Sequence, residues 1–122
     1  MALVGVNGQT QIFDYYYTIS TTLTPAFNFA ALVHVIGAGG SGGATDGENG
    51  KICIGTGGGA GGHAISRLNF TSGVTYTITI GAGGDAITTS AASVSDGNAG
   101  GATSISGSDI TTMTANGGGA GQ

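Results

Sequence analysis

The chain has 122 residues, 27 of them glycine, with two Lys or Arg against six Asp or Glu and a net charge of −4. So few cations cannot neutralise a phosphate backbone, which excludes nucleic-acid binding, and the lone Cys53 excludes an internal disulfide framework. No apolar run approaches the roughly 20 residues that span a bilayer, and Met1 to Val6 lacks the cationic start of a signal peptide. Membrane insertion and signal-directed secretion are therefore not expected. Disorder is also disfavoured: Pro25, Lys51 and Glu48 are each the only residue of their type, and mean hydropathy is slightly positive. The length fits one domain with an N-terminal extension.

In chain order, residues 1–30 hold most of the Phe and Tyr rings and only two glycines, Gly5 and Gly8. Over residues 11–19, alternation puts Phe13, Tyr15, Tyr17 and Ile19 on one face and Ile12, Asp14, Tyr16 and Thr18 on the other, which predicts a strand. Phe27 and Phe29 follow Pro25 at the same two-residue spacing. So many apolar rings in one segment predict an assembly surface rather than a solvated tail, with Phe13, Tyr15, Tyr17, Phe27 and Phe29 as its contacts.

From residue 31 onwards short β-forming runs alternate with glycine tracts. Ala31 to Ile36 is a strand by composition and runs into Gly-Ala-Gly-Gly. Thirteen glycines then fall between Gly37 and Gly62. Ordering them costs about 0.5–1 kcal/mol each relative to alanine, on the order of 6–13 kcal/mol together. The tract must therefore be a tether or a set of closely packed backbones, and the β runs at both ends favour packing. Cys53, in Lys-Ile-Cys-Ile, reads as a small buried hydrophobe. Ala64 to Phe70 and Val74 to Ile80 predict a hairpin joined near Gly73, with Val74, Tyr76, Ile78 and Ile80 inward and Thr75, Thr77 and Thr79 outward.

The glycine tracts recur. Ile-Gly-Ala-Gly-Gly occurs at 36–40 and 80–84, Gly-Gly-Gly-Ala-Gly at 57–61 and 117–121, and Gly-Gly-Ala-Thr at 42–45 and 100–103. Their unequal intervals exclude a solenoid period. They fit several threefold, polyglycine-II-like helices lying side by side. Such helices make no internal hydrogen bonds, so buried ones must bond to one another. Interspersed Ala, Ser and Thr would mark outward positions. The expected fold class is all-β, short strands and hairpins joined to packed glycine-rich segments, with little or no α-helix.

Motifs of chemistry are weak. Gly37 to Gly42 matches G-x-G-x-x-G after a strand, but Gly-Ala-Thr-Asp-Gly-Glu-Asn-Gly cannot form the helix that a dinucleotide site requires. Gly47 to Lys51 lacks the spacing and hydroxyl of a P-loop. Gly83-Gly84-Asp85 resembles a single step of a calcium-binding repeat that works only in tandem. Asp46, Asp85, Asp96 and Asp109 suit turns. Asn69-Phe70-Thr71 is formally a glycosylation sequon but fits the end of a strand. His34 and His63 show no metal-ligand spacing with Cys53 or the carboxylates, and no nucleophile–base set assembles. The expectation is no cofactor, no metal and no enzyme.

The order of Val33 to Gly43, Gly57 to His63, Val74 to Gly84, Gly100 to Ser104 and Ala115 to Gly121 resembles the glycine-rich domain of bacteriophage tail-fibre and tail-adhesin proteins, over about residues 31–122. That resemblance implies a sandwich of polyglycine-II helices in a virion, anchored by residues 1–30, with loops at the bundle end contacting a bacterial surface receptor. The loops here would be Asp46 to Lys51, carrying Asp46, Glu48 and Lys51, and Ile87 to Asn98, carrying Thr88, Ser90 and Asp96. Other virion proteins and a homo-oligomer, a trimer by fibre analogy, are the implied partners. The chain stops within a glycine tract at Gln122, which leaves open a fragment of a longer fibre. A capsid decoration or head-fibre protein without a receptor is one alternative. Ice binding, suggested by the Thr75, Thr77 and Thr79 row, is another.

Overall fold

A computed structural model describes residues 2–6, 9–45, 54–89 and 93–122, with side chains from residue 14 onwards. The described residues form ten β-strands and no helix: β1 (Ala2–Val6), β2 (Gln9–Phe13), β3 (Thr21–Leu23), β4 (Phe29–Ile36), β5 (Ala44–Thr45), β6 (His63–Phe70), β7 (Tyr76–Thr79), β8 (Val94–Ser95), β9 (Thr103–Gly107) and β10 (Ile110–Ala115). β1 pairs with β2, and β5 with β8. A four-stranded antiparallel sheet runs β10-β9-β7-β3, and the β4–β6 ribbon packs against β9 and β10. The core fills the space between them, with Ala31, Val35, Phe70, Tyr76, Ile78, Ile105 and Ala115 buried. Over 74–80 the expected alternation is observed: Tyr76 and Ile78 are buried, Val74 and Ile80 half-buried, and Thr75, Thr77 and Thr79 exposed.

The glycine segments continue the β-ladders without changing register. In β4–β6 the last pair is Ile36 with His63. Beyond it Gly37 N donates to Gly62 O (2.8 Å), Gly40 N to Gly59 O (2.9 Å) and Gly43 N to Thr56 O (3.0 Å). The partners stay in step while the bonding interval changes from the two of a strand to the three of a polyglycine-II helix. The other ladders convert in the same way. After Thr79 with Ser104 comes Gly101 N to Ala82 O (2.7 Å). After Ala115 with Thr103 come Gly100 N to Gly118 O (2.9 Å) and Gly97 N to Gly121 O (2.7 Å).

Five glycine segments result, at 37–43, 55–62, 81–84, 97–101 and 116–121. The first is central. Its Ala38 N and Ser41 N donate to Gly101 O and Asn98 O, its Ala38 O and Ser41 O accept from Gly118 N and Gly121 N, and its Gly39 O accepts from Gly84 N. Each face of that threefold helix is thus bonded to a neighbour. Backbones this close leave no room for Cβ: one built on Gly37 would lie 2.0 Å from Asn116 O, and one on Gly100 2.2 Å from Ala38 O. The outward placement of small residues holds for Ala60, Ala82, Ala99, Ala102 and Ala120, all exposed, whereas Ala38 and Ser41, on the central segment, are half-buried.

Two sequence expectations need correction. The strand predicted over 11–19 stops at Phe13, because among the described residues β2 bonds only to β1 and residues 14–20 have no ladder partner. From residue 14 onwards neither alternating face finds a core: Tyr16 is 87% and Ile19 74% exposed. Secondly, Ala64–Phe70 and Val74–Ile80 are not paired with each other. β6 bonds to β4, while β7 lies between β3 and β9. The turn is present, with Val74 N donating to Thr71 O (3.2 Å) and Gly73 at φ +79°, as a type II turn requires. It arches between the sheets because residues 25–28 hold it: Gly73 N donates to Pro25 O (2.9 Å), Ser72 N to Asn28 Oδ1 (2.7 Å) and Ser72 Oγ to Ala26 O (2.9 Å). The arch turns Phe70 and Tyr76 towards each other, edge to face at 4.7 Å. The Tyr76 hydroxyl accepts from Thr71 N (2.8 Å) and donates to Asp109 Oδ2 (2.9 Å).

Candidate functional site

The two candidate surfaces lie at opposite ends of the glycine bundle, separated by a central segment roughly 20 Å long at 3.1 Å per residue. At the far end from the core, Ala44 pairs with Ser95 and Thr45 with Val94, while Thr45 Oγ1 donates to Ile54 O (3.2 Å). Residues 45 and 54, which bound one predicted loop, therefore meet residues 94 and 95 of the other. Asp46, Glu48, Lys51, Ser90 and Cys53 lie outside the described residues. Thr88 and Asp96 are exposed. Asn98 ties the second loop down, its N donating to Ser41 Oγ (2.8 Å) and its Nδ2 to Asp85 O (2.9 Å). Sequence reasoning missed two apolar side chains here, Ile54 (71% exposed) and Val94 (72%), both beside Thr45. Their only signal was a β-branched hydrophobe next to a glycine tract.

At the core end, Tyr15, Tyr16, Tyr17, Phe27, Leu32 and Ile36 line one apolar groove of about 760 Å³ and are all exposed. Tyr15, Tyr17 and Phe27 of the predicted assembly set thus share a surface. The Phe13 side chain is outside the described part. Phe29 lines the same groove and, half-buried, also packs against the core, stacking on Phe70 at 4.9 Å. Residues 21–30 are woven into the same sheets as residues 63–79 through β3, β4 and the arch contacts.

The threonine row of β7 is one column of a broader hydroxyl face. Thr77 faces Thr22 on one side and Ser106 on the other, Thr79 faces Ser104, and Ser104 faces Thr114. Thr24 Oγ1 and Thr75 Oγ1 are hydrogen-bonded at 3.0 Å. The opposite face of the same strands holds the buried Tyr76, Ile78, Ile105 and Ala115.

Hydrogen bonding from the Thr71 side chain is the main influence holding the Asp109 carboxyl below its ordinary value; desolvation opposes it, and the Tyr76 hydroxyl reinforces it. No described group of three or more His, Cys, Asp or Glu could hold a metal ion.

Sheets that pass in register into a polyglycine-II bundle define an all-β glycine-helix domain. A family model for the glycine-rich domain matches residues 17–122, and the chain belongs to that family. No curated protein and no solved structure matches it.

Proposed function

We propose that the chain is a non-enzymatic structural domain of a phage virion, a tail-fibre or tail-tip module. In this reading the aromatic groove is held by neighbouring virion subunits, including copies of the chain, and the loop end faces the host surface. The observation that carries the reading is polarity: the bases of both predicted loops lie together at the end remote from the aromatic groove. A hydrogen-bonded glycine bundle is a rigid spacer, and loops on rigid scaffolds are where recognition residues concentrate. The resemblance of the order of its glycine motifs to that of phage tail-fibre domains is a second support. The test has two arms. Replacing residues 46–51 or 87–93 with a short glycine-serine turn should lower attachment to host cells while particles still incorporate the protein. Deleting residues 1–16, upstream of the family match, should abolish incorporation while the domain stays folded. Unchanged attachment in both loop variants removes the receptor role and favours a capsid decoration protein, which labelling on particles would locate. The hydroxyl face supports a second reading, ice binding, because it is uncharged and its Thr and Ser residues repeat along and across the strands. Absence of thermal hysteresis would dismiss it.

A further inference from the structure

His34 and His63 are 29 positions apart and meet on the outer face of the β4–β6 ribbon. The register sets His34 opposite Ile65 and Ile36 opposite His63, so the two imidazoles are diagonal neighbours. His34 Nδ1 lies 3.2 Å from His63 Nε2, with ring centroids 5.2 Å apart and planes inclined by 32°. Both side chains are exposed, as are Ile36 and Ile65 beside them. We propose that this pair is a chelating site for a divalent transition-metal ion of the zinc, nickel or copper type.

The spacing carries the argument. Two nitrogens bound at 2.0–2.1 Å lie about 3.3 Å apart when they subtend a tetrahedral angle and about 2.9 Å apart at a right angle. The observed 3.2 Å lies between these values. In the metal-free protein the same contact is a hydrogen bond, one ring N–H donating to the other ring's lone pair. A neutral imidazole carries its single proton on either nitrogen. Moving it to the outer nitrogen of the donor ring leaves both inner nitrogens with a lone pair to offer one ion, after a small rotation of the exposed rings. Imidazole ligands select zinc, nickel and copper over magnesium and calcium. The remaining coordination positions face solvent and take water. The site occupies the last ladder positions before the glycine segments, so the ion would clamp β4 to β6 where the backbone period changes.

Two other charged groups share the surroundings. Arg67 is on the same face, opposite Leu32, and Asp14 lines the groove that His34 also lines. Neither of them lies between the two ring nitrogens, whose lone pairs are the only ligands the site needs from the chain.

Calorimetric titration of the full chain with zinc or nickel chloride at about neutral pH tests this. The expected result is one saturable site per chain. H34A and H63A should each weaken binding by about tenfold or more, since even a supporting contact is worth that much. C53S should leave it intact. The thermal midpoint should rise with metal in the native chain and in C53S, but not in either histidine variant. Because both histidines are exposed, their variants keep the fold, which circular dichroism verifies. Affinity unchanged in H34A, or lost in C53S, overturns the proposal.

Discussion

Replacing Gly61 by alanine should severely destabilise the protein, whereas the same change four residues earlier, at Gly57, should strengthen it. A Cβ built on Gly61 lies 1.8 Å from Gly37 O and 2.3 Å from Gly37 C, while one on Gly57 meets nothing within 4 Å. Both Gly37 atoms are backbone and have no rotamer to yield. Restoring an ordinary contact of 3.4 Å requires the two segments to part by about 1.6 Å locally. That stretches the 2.8 Å bond from Gly37 N to Gly62 O beyond hydrogen-bonding range and strains the 2.7 Å bond from Gly62 N to Asn116 O. Overpacking costs about 1–3 kcal/mol and each lost backbone bond about 0.5–1.5 kcal/mol. The gain from a stiffer unfolded chain returns only about 0.4–1 kcal/mol. The net loss for G61A is therefore about 1–4 kcal/mol, against a gain of about 0.4–1 kcal/mol for G57A, whose φ lies outside the left-handed region. Thermal melts followed by dichroism, with urea titration to fix free energies, would compare the two variants and the native chain. If both alanines shift stability alike, or G61A lies within about 0.5 kcal/mol of native, the glycines are not set by close backbone approach and the bundle argument fails.

Tyr76 is fully buried, so Y76F should preserve its ring packing yet leave Thr71 N without its acceptor, costing about 1–3 kcal/mol in urea unfolding. Gly73, at φ +79°, has open space around it, so G73A is a purely conformational test and should cost about 1–2 kcal/mol by the same assay. Asp109 titrates lower in the folded than in the unfolded chain. Its contribution is thus complete above the unfolded carboxylate range and declines as pH falls below about 4 through the folded value. The urea midpoint of D109N should lose that part of the acid dependence, and an unchanged slope would show that the Thr71 and Tyr76 contacts do not bias its ionisation.

Local pattern determined much of this protein. The alternation over 74–80 placed Tyr76 and Ile78 inward because a strand offers its faces to core and solvent by turns. The glycine repeats were more informative than their complexity suggests. Tracts 36–40 and 80–84 begin segments that touch through Gly84 N and Gly39 O, and tracts 57–61 and 117–121 are joined by Gly59 N to Gly119 O. Similar tracts came to lie side by side because only residues without Cβ tolerate that approach. Pairing was another matter. A turn at Gly73 serves a hairpin and an arch equally well, and only the hold of residues 25–28 made it an arch. The strand pattern of residues 11–19 was sound locally, yet no edge received its second half. Likewise His34 and His63 became neighbours through the register that the β4–β6 ladder shares with its glycine helices, and the two loop bases converged through a second register that sets residues 38–45 against 94–101. Such register is a property of two distant segments together: each can fold as a strand or a threefold helix with many partners. The choice is made by which arrangement satisfies the backbone groups and buries the inward faces at the same time.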